Sequence, residues 1–174
     1  MQPTILLSAL LISLGSVALT ACNPSAETQV TPPAVVKKYT QATTLEGKVS
    51  NNQGILKTGK VVAKTEQGRV LAETAVDEGN YSLTIPAETV LPLVLTYTGA
   101  ASSDELLSVV IHDSIRHYAI NPTTTAIAKA AKAMGGYSSA NMTHAAQKSV
   151  HSPDENKTTS GWRGDPTSQY GGWH

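Results

Sequence analysis

A mainly β fold is predicted: an antiparallel β-sandwich, then one or two C-terminal helices and a disordered tail. Three observations predict it. Between Leu45 and Ile120 apolar residues recur at every second position, in short runs separated by Gly, Asn and Asp turn clusters. After Asn121 the apolar spacing changes to i, i+3, i+4, i+7. From His151 to His174 the chain is rich in Gly, Ser, Thr and Pro with no sustained period, the composition of a flexible tail.

Taking the elements in order, the first 21 residues contain no charged side chain and hold an apolar run from Ile5 to Leu14, continued by Val17, Ala18 and Leu19. A bilayer-spanning helix needs about 20 apolar residues, so this run has the length of a signal-peptide core. Leu19-Thr20-Ala21-Cys22 follows it and resembles the lipobox of bacterial lipoproteins. The resemblance implies that Leu19, Thr20 and Ala21 are read by the lipoprotein signal peptidase, that residues 1–21 are removed, and that Cys22 carries the lipid. It is the only cysteine in the chain, which excludes an intrachain disulfide and a thiolate metal cluster. Each buried methylene contributes about 0.8 kcal/mol, so the three acyl chains of such an anchor hold a protein on a membrane durably.

Loss of residues 1–21 leaves 153 of 174, enough for one domain with its own core. Thirteen basic residues balance thirteen acidic ones without a charge block, which excludes the electrostatic footprint of a nucleic-acid binder. Phenylalanine is absent, so an aliphatic core is expected. Residues 22–43, with Pro24, Pro32 and Pro33, read as the lipidated cysteine and an extended tether.

The β region is placed at 44–120. Leu45, Gly47 and Val49 alternate with polar residues, and Asn51-Asn52-Gln53-Gly54 is a turn. Lys60 to Glu66 and Arg69 to Val76 read as a hairpin closed at Gln67-Gly68. Asp77-Glu78-Gly79-Asn80 is the next turn, and Tyr81, Leu83 and Ile85 alternate until Pro86. Leu91, Leu93, Leu95 and Tyr97 form a further strand, with Pro92 marking an edge or a strand start. Leu106 to His112 and Ile115 to Ile120 are expected as a last hairpin around Asp113-Ser114, with Tyr118 and Ile120 able to join the face of Leu107, Val109 and Ile111.

The helical extension is placed at 121–150. Asn121 is a suitable N-cap and Pro122 a first helical residue, and Ile127, Ala130, Ala131 and Met134 make the inward stripe before Gly135-Gly136. Lys129 and Lys132 are expected to face water. A second helix from Ser139 to Val150 would bury Met142, Ala145, Ala146 and Val150. Residues 151–174 form the tail.

Leu45-Glu46-Gly47-Lys48-Val49, Gly59-Lys60-Val61-Val62-Ala63 and Asp77-Glu78-Gly79-Asn80-Tyr81-Ser82-Leu83-Thr84-Ile85-Pro86 together resemble the carboxypeptidase regulatory-like family. The resemblance covers about Leu45 to Gly99 and implies a transthyretin-like sandwich, of the broader immunoglobulin-like type, that serves as an accessory module and not a catalyst. Its turn has a physical logic: Gly79 supplies positive φ, and Tyr81 opens a strand with its ring inward.

Chemistry-bearing groups are few. His112 and His117 are the metal candidates, about 5 Å apart across a four-residue loop or about 7–8 Å apart diagonally across a two-residue one. Zinc takes three or four protein ligands and no third stands at a determined place, so surface histidines are the favoured reading and no cofactor is expected. His112-Asp113-Ser114 holds the residue types of a hydrolytic triad, but consecutive residues in a hairpin point apart, and no Gly-x-Ser-x-Gly elbow exists. Trp162, Tyr170 and Trp173 in the tail either fold back on the sandwich or form a contact element for glycan or protein. Arg163-Gly164-Asp165 matches an adhesive tripeptide that three common residues form readily by chance.

The expectation is therefore a non-catalytic binding or scaffold module, lipid-anchored in a bacterial envelope, whose partner is a polysaccharide or a protein. Asn23 after the cysteine, where Asp is the usual retention signal, points to the outer membrane. The alternative is a structural subunit that docks through its tail or strand edges; a metal-binding role through His112 and His117 comes third.

Overall fold

The computed structural model describes residues 36–99, 105–150 and 170. The fold is mainly β, with a curled antiparallel six-stranded sheet and two helices. In chain order the elements are β1 (Lys38–Tyr39), β2 (Thr43–Lys48), β3 (Ser50–Asn51), β4 (Gly54–Ile55), β5 (Thr58–Thr65), β6 (Val70–Asp77), β7 (Asn80–Ile85), β8 (Thr89–Val90), β9 (Leu93–Thr98), β10 (Leu106–Val110), α1 (Pro122–Ala133) and α2 (Ser139–Val150).

The main sheet runs β10-β9-β5-β6-β7-β2, and two ribbons, β1 with β8 and β3 with β4, stand beside it. The β5–β6 hairpin turns at Gln67-Gly68, where Gly68 has φ +88°. The β6–β7 turn carries positive φ at both central residues, Glu78 (+44°) and Gly79 (+82°), the geometry whose twist suits a two-residue hairpin. Past that turn the strands part: β6 and β7 are in register only at Asp77 and Asn80, after which β6 follows β5 and β7 follows β2.

The last expected hairpin does not form. β10 ends at Val110, and residues 116–120 cross to the opposite edge of the sheet to lie parallel to β2. Glu46 N–H donates to the Arg116 carbonyl (2.9 Å), Tyr118 N–H to that of Glu46 (2.8 Å), and Ile120 N–H to that of Lys48 (2.9 Å). Six residues of chain reach at most about 21 Å, whereas the seven rows of a flat sheet would set the two edges about 29 Å apart. The sheet must curl for the crossover to close, and the curl creates an enclosed interior.

That interior holds Leu45, Val49, Val61, Ala63, Leu83, Ile85, Leu93, Leu95, Val110 and Ile120, with Tyr39, Tyr81, Tyr97 and Tyr118 among them. It is mainly aliphatic, as expected from the lack of phenylalanine, and the four tyrosines add the ring bulk that this expectation left out. Tyr118 and Ile120 belong to this cluster, while Val109 and Ile111 lie in a second one under the helices, so the two sets do not share a face. The second cluster packs Ile127, Ala128, Ala131, Tyr137, Met142, Ala145, Ala146 and Tyr170 on the outer side of β9 and β10.

In α1 Asn121 is the N-cap, and its side chain accepts from Thr124 N–H (2.9 Å). The buried stripe is Thr124, Ile127, Ala128 and Ala131; Ala130 and Met134 are exposed, so the helix is rotated from the expected stripe. Lys129 and Lys132 face water. The rotation lets the Thr124 hydroxyl donate to the Leu107 carbonyl (2.7 Å) while Leu107 N–H donates to the Thr125 hydroxyl (2.8 Å), capping the sheet edge. β1 lies inside the stretch expected as tether: Lys38 and Tyr39 pair with Val90 and Thr89, so ordered backbone begins ahead of residue 44.

Candidate functional site

Where β10 hands over to the crossover, four tyrosines and His112 converge. The His112 carbonyl accepts from the hydroxyls of Tyr39 and Tyr118, each at 3.4 Å. Tyr81 donates to the Tyr118 carbonyl (2.6 Å), tying β7 to the crossover. Arg116 stacks over the Tyr39 ring with its guanidinium 5.4 Å from the centroid, a cation–π contact. Burial pushes the Tyr39 phenol up to about 12, against the opposing pull of Arg116, and raises Tyr81 and Tyr118 well above the ordinary phenol value.

Lys37 Nζ lies 3.2 Å from His112 Nδ1. An ammonium only donates, so Nδ1 accepts and the imidazole is neutral with its proton on Nε2. Nε2 is shut off from solvent with no hydrogen-bond partner of standard geometry among the described residues. Burial first, and then the Lys37 charge, lower the His112 pKa; the Tyr170 carbonyl and Asp113 oppose them. A ring held this way has no lone pair to offer a metal without displacing Lys37.

Tyr170 lies against the same place. It is 1 % exposed, its hydroxyl is 3.3 Å from that of Ser108 on β10, and its carbonyl accepts from the Thr143 hydroxyl on α2 (3.1 Å). Of the three tail aromatics, Tyr170 is thus folded onto the domain; Trp162 and Trp173 lie outside the described residues. So do Cys22 and the recognition residues Leu19, Thr20 and Ala21.

His117 has a different setting. Its side chain is 80 % exposed, with Nε2 3.6 Å from Glu46 Oε2, at the rim of an open groove of about 590 Å³. The groove lies where β6 and β7 part, and Asp77, Glu78, Asn80, Ser82 and Lys48 also line it. Glu78 is engaged by Lys57 (3.1 Å). His112 and His117 are therefore not brought to a shared ion: one is enclosed beside a lysine, the other open beside a carboxylate. Among the described residues no group of three or more His, Cys, Asp and Glu side chains stands together. Within His112-Asp113-Ser114, the Asp113 carbonyl accepts from Arg116, so the triplet forms a turn around that guanidinium.

Sequence reasoning passed over Lys37, Ser108 and Thr143. Each is a common polar residue whose partner lies far along the chain, 75 positions away for Lys37 and 62 for Ser108. The Ser108 signal was available: a serine between Leu107 and Val109, in a strand with both faces apolar, needs a polar partner inside. Comparison of the chain with protein-family models, curated proteins and solved structures gives no match.

Proposed function

We propose that the chain is a bacterial lipoprotein, anchored through lipid on Cys22, whose folded part is a non-catalytic binding or scaffold module of the envelope. The observation that carries this reading is the apolar leader running into Leu19-Thr20-Ala21-Cys22. Asn23 at the following position favours the outer membrane. No helix among the described residues is long and apolar enough to cross a membrane.

The finer fold assignment is a transthyretin-like sandwich of the carboxypeptidase regulatory-like kind. The parting of β6 from β7 supports it: one layer then comprises β10, β9, β5 and β6, and the other β7, β2 and the crossover. The accessory character of that family supports a binding role with a polysaccharide or protein partner. A structural subunit docking through its tail or strand edges is the second reading. A metal-binding role has the weakest support, given the separate settings of His112 and His117.

Fractionation tests the anchor. Wild type is expected in the outer-membrane fraction, and Cys22→Ser in the inner membrane as uncleaved precursor or in the soluble periplasm. Equal recovery of both forms from the outer membrane would contradict the proposal.

A further inference from the structure

The edge that β6 turns toward β7 is open among the described residues. Asp77 and Asn80 close the two-residue turn, and past that pair β6 and β7 are not in register, while the other side of β6 is paired with β5 from Val70 to Asp77. Residues that close such a turn exchange their main-chain bonds, and main-chain groups alternate in direction along a strand. The N–H and C=O of Ala75 and Glu73 therefore point, like those of Asp77, into the gap. In place of a strand partner, the Ala75 carbonyl accepts from the Thr74 hydroxyl at 3.4 Å. The inward face is open as well: Val61 and Ala63 on β5 are fully buried, whereas the residues in register with them on β6, Thr74 and Ala72, are only half-buried. A strand laid beside β6 would cover them.

The charges along this edge are polarised. Arg69 stands at one end and Asp77 at the other, about 26 Å apart along the strand. The ions around them are engaged: Glu73 with Lys60 (3.2 Å), Glu78 with Lys57 (3.1 Å) and Glu46 with His117 (3.6 Å). Among the described residues Arg69 and Asp77 have no ion pair. Asp77 lines the groove at its end of the gap together with Glu46, Glu78, Lys48 and His117. The complementary strand brings a cation to that groove and an anion to Arg69. β6 laid antiparallel to itself is such a strand.

We propose that the open edge of β6 pairs antiparallel with the same edge of a second copy of this chain, about a two-fold axis at Thr74. The inference deepens the strand-edge reading of a structural subunit and names the partner. In this register Glu73 of each copy stands opposite Ala75 of the other, and the main-chain groups that point into the gap bond to one another. Thr74 faces Thr74 across the axis, a favourable cross-strand pair, and each Ala72 faces a Val76, so the half-open inward faces cover each other. An axis at Glu73 would set two glutamates directly opposite, which disfavours it. Arg69 of each copy arrives at the groove beside Asp77 of the other.

Sedimentation velocity of the full chain in detergent, over a concentration series, tests this. Residues 1–22 are common to every form, so differences between forms report on the edge. Wild type is expected in a reversible monomer–dimer equilibrium. Arg69→Glu and Asp77→Lys change exposed side chains and are each expected to keep the wild-type circular dichroism and to raise the dimer Kd by about tenfold or more, since each sets like charges together. Mixed, the two variants are expected to recover most of the lost affinity as a heterodimer, in which one contact is native and the other reversed. Arg69 and Asp77 of one chain stand too far apart for that recovery to arise within a chain. A wild type that stays monomeric throughout overturns the proposal and leaves the edge to a strand of a different protein. A dimer that both variants form as readily as wild type, or a mixture that recovers nothing, puts the contact on another surface and overturns it too. None of these outcomes touches lipidation of Cys22, which fractionation reads separately.

Discussion

At the scale of single residues, phenols organise this protein. All six tyrosines are buried, in a chain with no phenylalanine. A buried phenol contributes apolar area only if its hydroxyl finds a partner, since an unsatisfied one costs about 1–3 kcal/mol. Here carbonyls of Thr58, His112 and Tyr118 serve Tyr97, Tyr39 with Tyr118, and Tyr81 respectively. Those phenols stay neutral at ordinary pH, which leaves His112 as the titrating group in their midst. Its pKa is lowered below the ordinary 6.5 by burial and Lys37, with Asp113 and the Tyr170 carbonyl in partial opposition. The unfolded chain therefore takes up the proton first as pH falls. The contribution of His112 to stability is complete above pH 6.5 and declines from there toward the lower folded-state pKa. Thermal melts between pH 7.5 and 5 are expected to show a falling Tm in wild type and a flatter profile in His112→Gln; parallel profiles would contradict the assignment. The tyrosine-rich interior was poorly legible because each hydroxyl's partner is remote, 37 positions away for Tyr81. Tyr81, placed by the turn before it, and Tyr97 and Tyr118, each in an alternating apolar set, could be pointed inward from local pattern, but their partners could not be named.

Among the elements, those with local causes were legible. The β5–β6 hairpin, the Gly79 turn, the Asn121 N-cap and the bounds of α2 follow from turn residues, capping and period, and the structure has them at or within two residues of the expected positions. The partner of residues 115–120 was not legible, because an alternating run is equally suited to a hairpin with β10 or to a parallel row beside β2. The two-residue strands β1 and β8 are too short to show a period at all. Gly47 marks the choice the chain makes: a Cβ there would collide with the Tyr118 carbonyl, itself backbone, and approach the Tyr81 ring. Gly47→Ala is expected to destabilise by about 1–3 kcal/mol or more by forcing the crossover off β2, measured by urea unfolding. A neutral result would mean that residues 116–120 do not pair with β2. At the helix, Asn121→Ala removes the acceptor for Thr124 N–H and is expected to cost about 0.5–2 kcal/mol in the same measurement. Thr124 also holds the Leu107 edge, so Thr124→Val is expected to cost more than the cap alone.

For the whole molecule, closure is the governing feature. The crossover links the two outer strands, the α1 threonines cap Leu107, and the interior between them is filled by side chains. Among the described residues, open grooves remain where β6 and β7 part and between the β5–β6 turn and residues 86–92. A mainly β body with two C-terminal helices could be foreseen from periodicity; the curl could not, because it follows from where a six-residue connection must land. The account of function depends on the anchor, and one measurement tests it most directly: mass spectrometry of the N-terminal tryptic peptide from membrane-extracted protein. A peptide running from Cys22 to Lys37 and carrying the added mass of a diacylglyceryl group and an amide-linked acyl chain is the predicted result. An unmodified Cys22, or a mature N-terminus at any other residue, would contradict the lipoprotein reading.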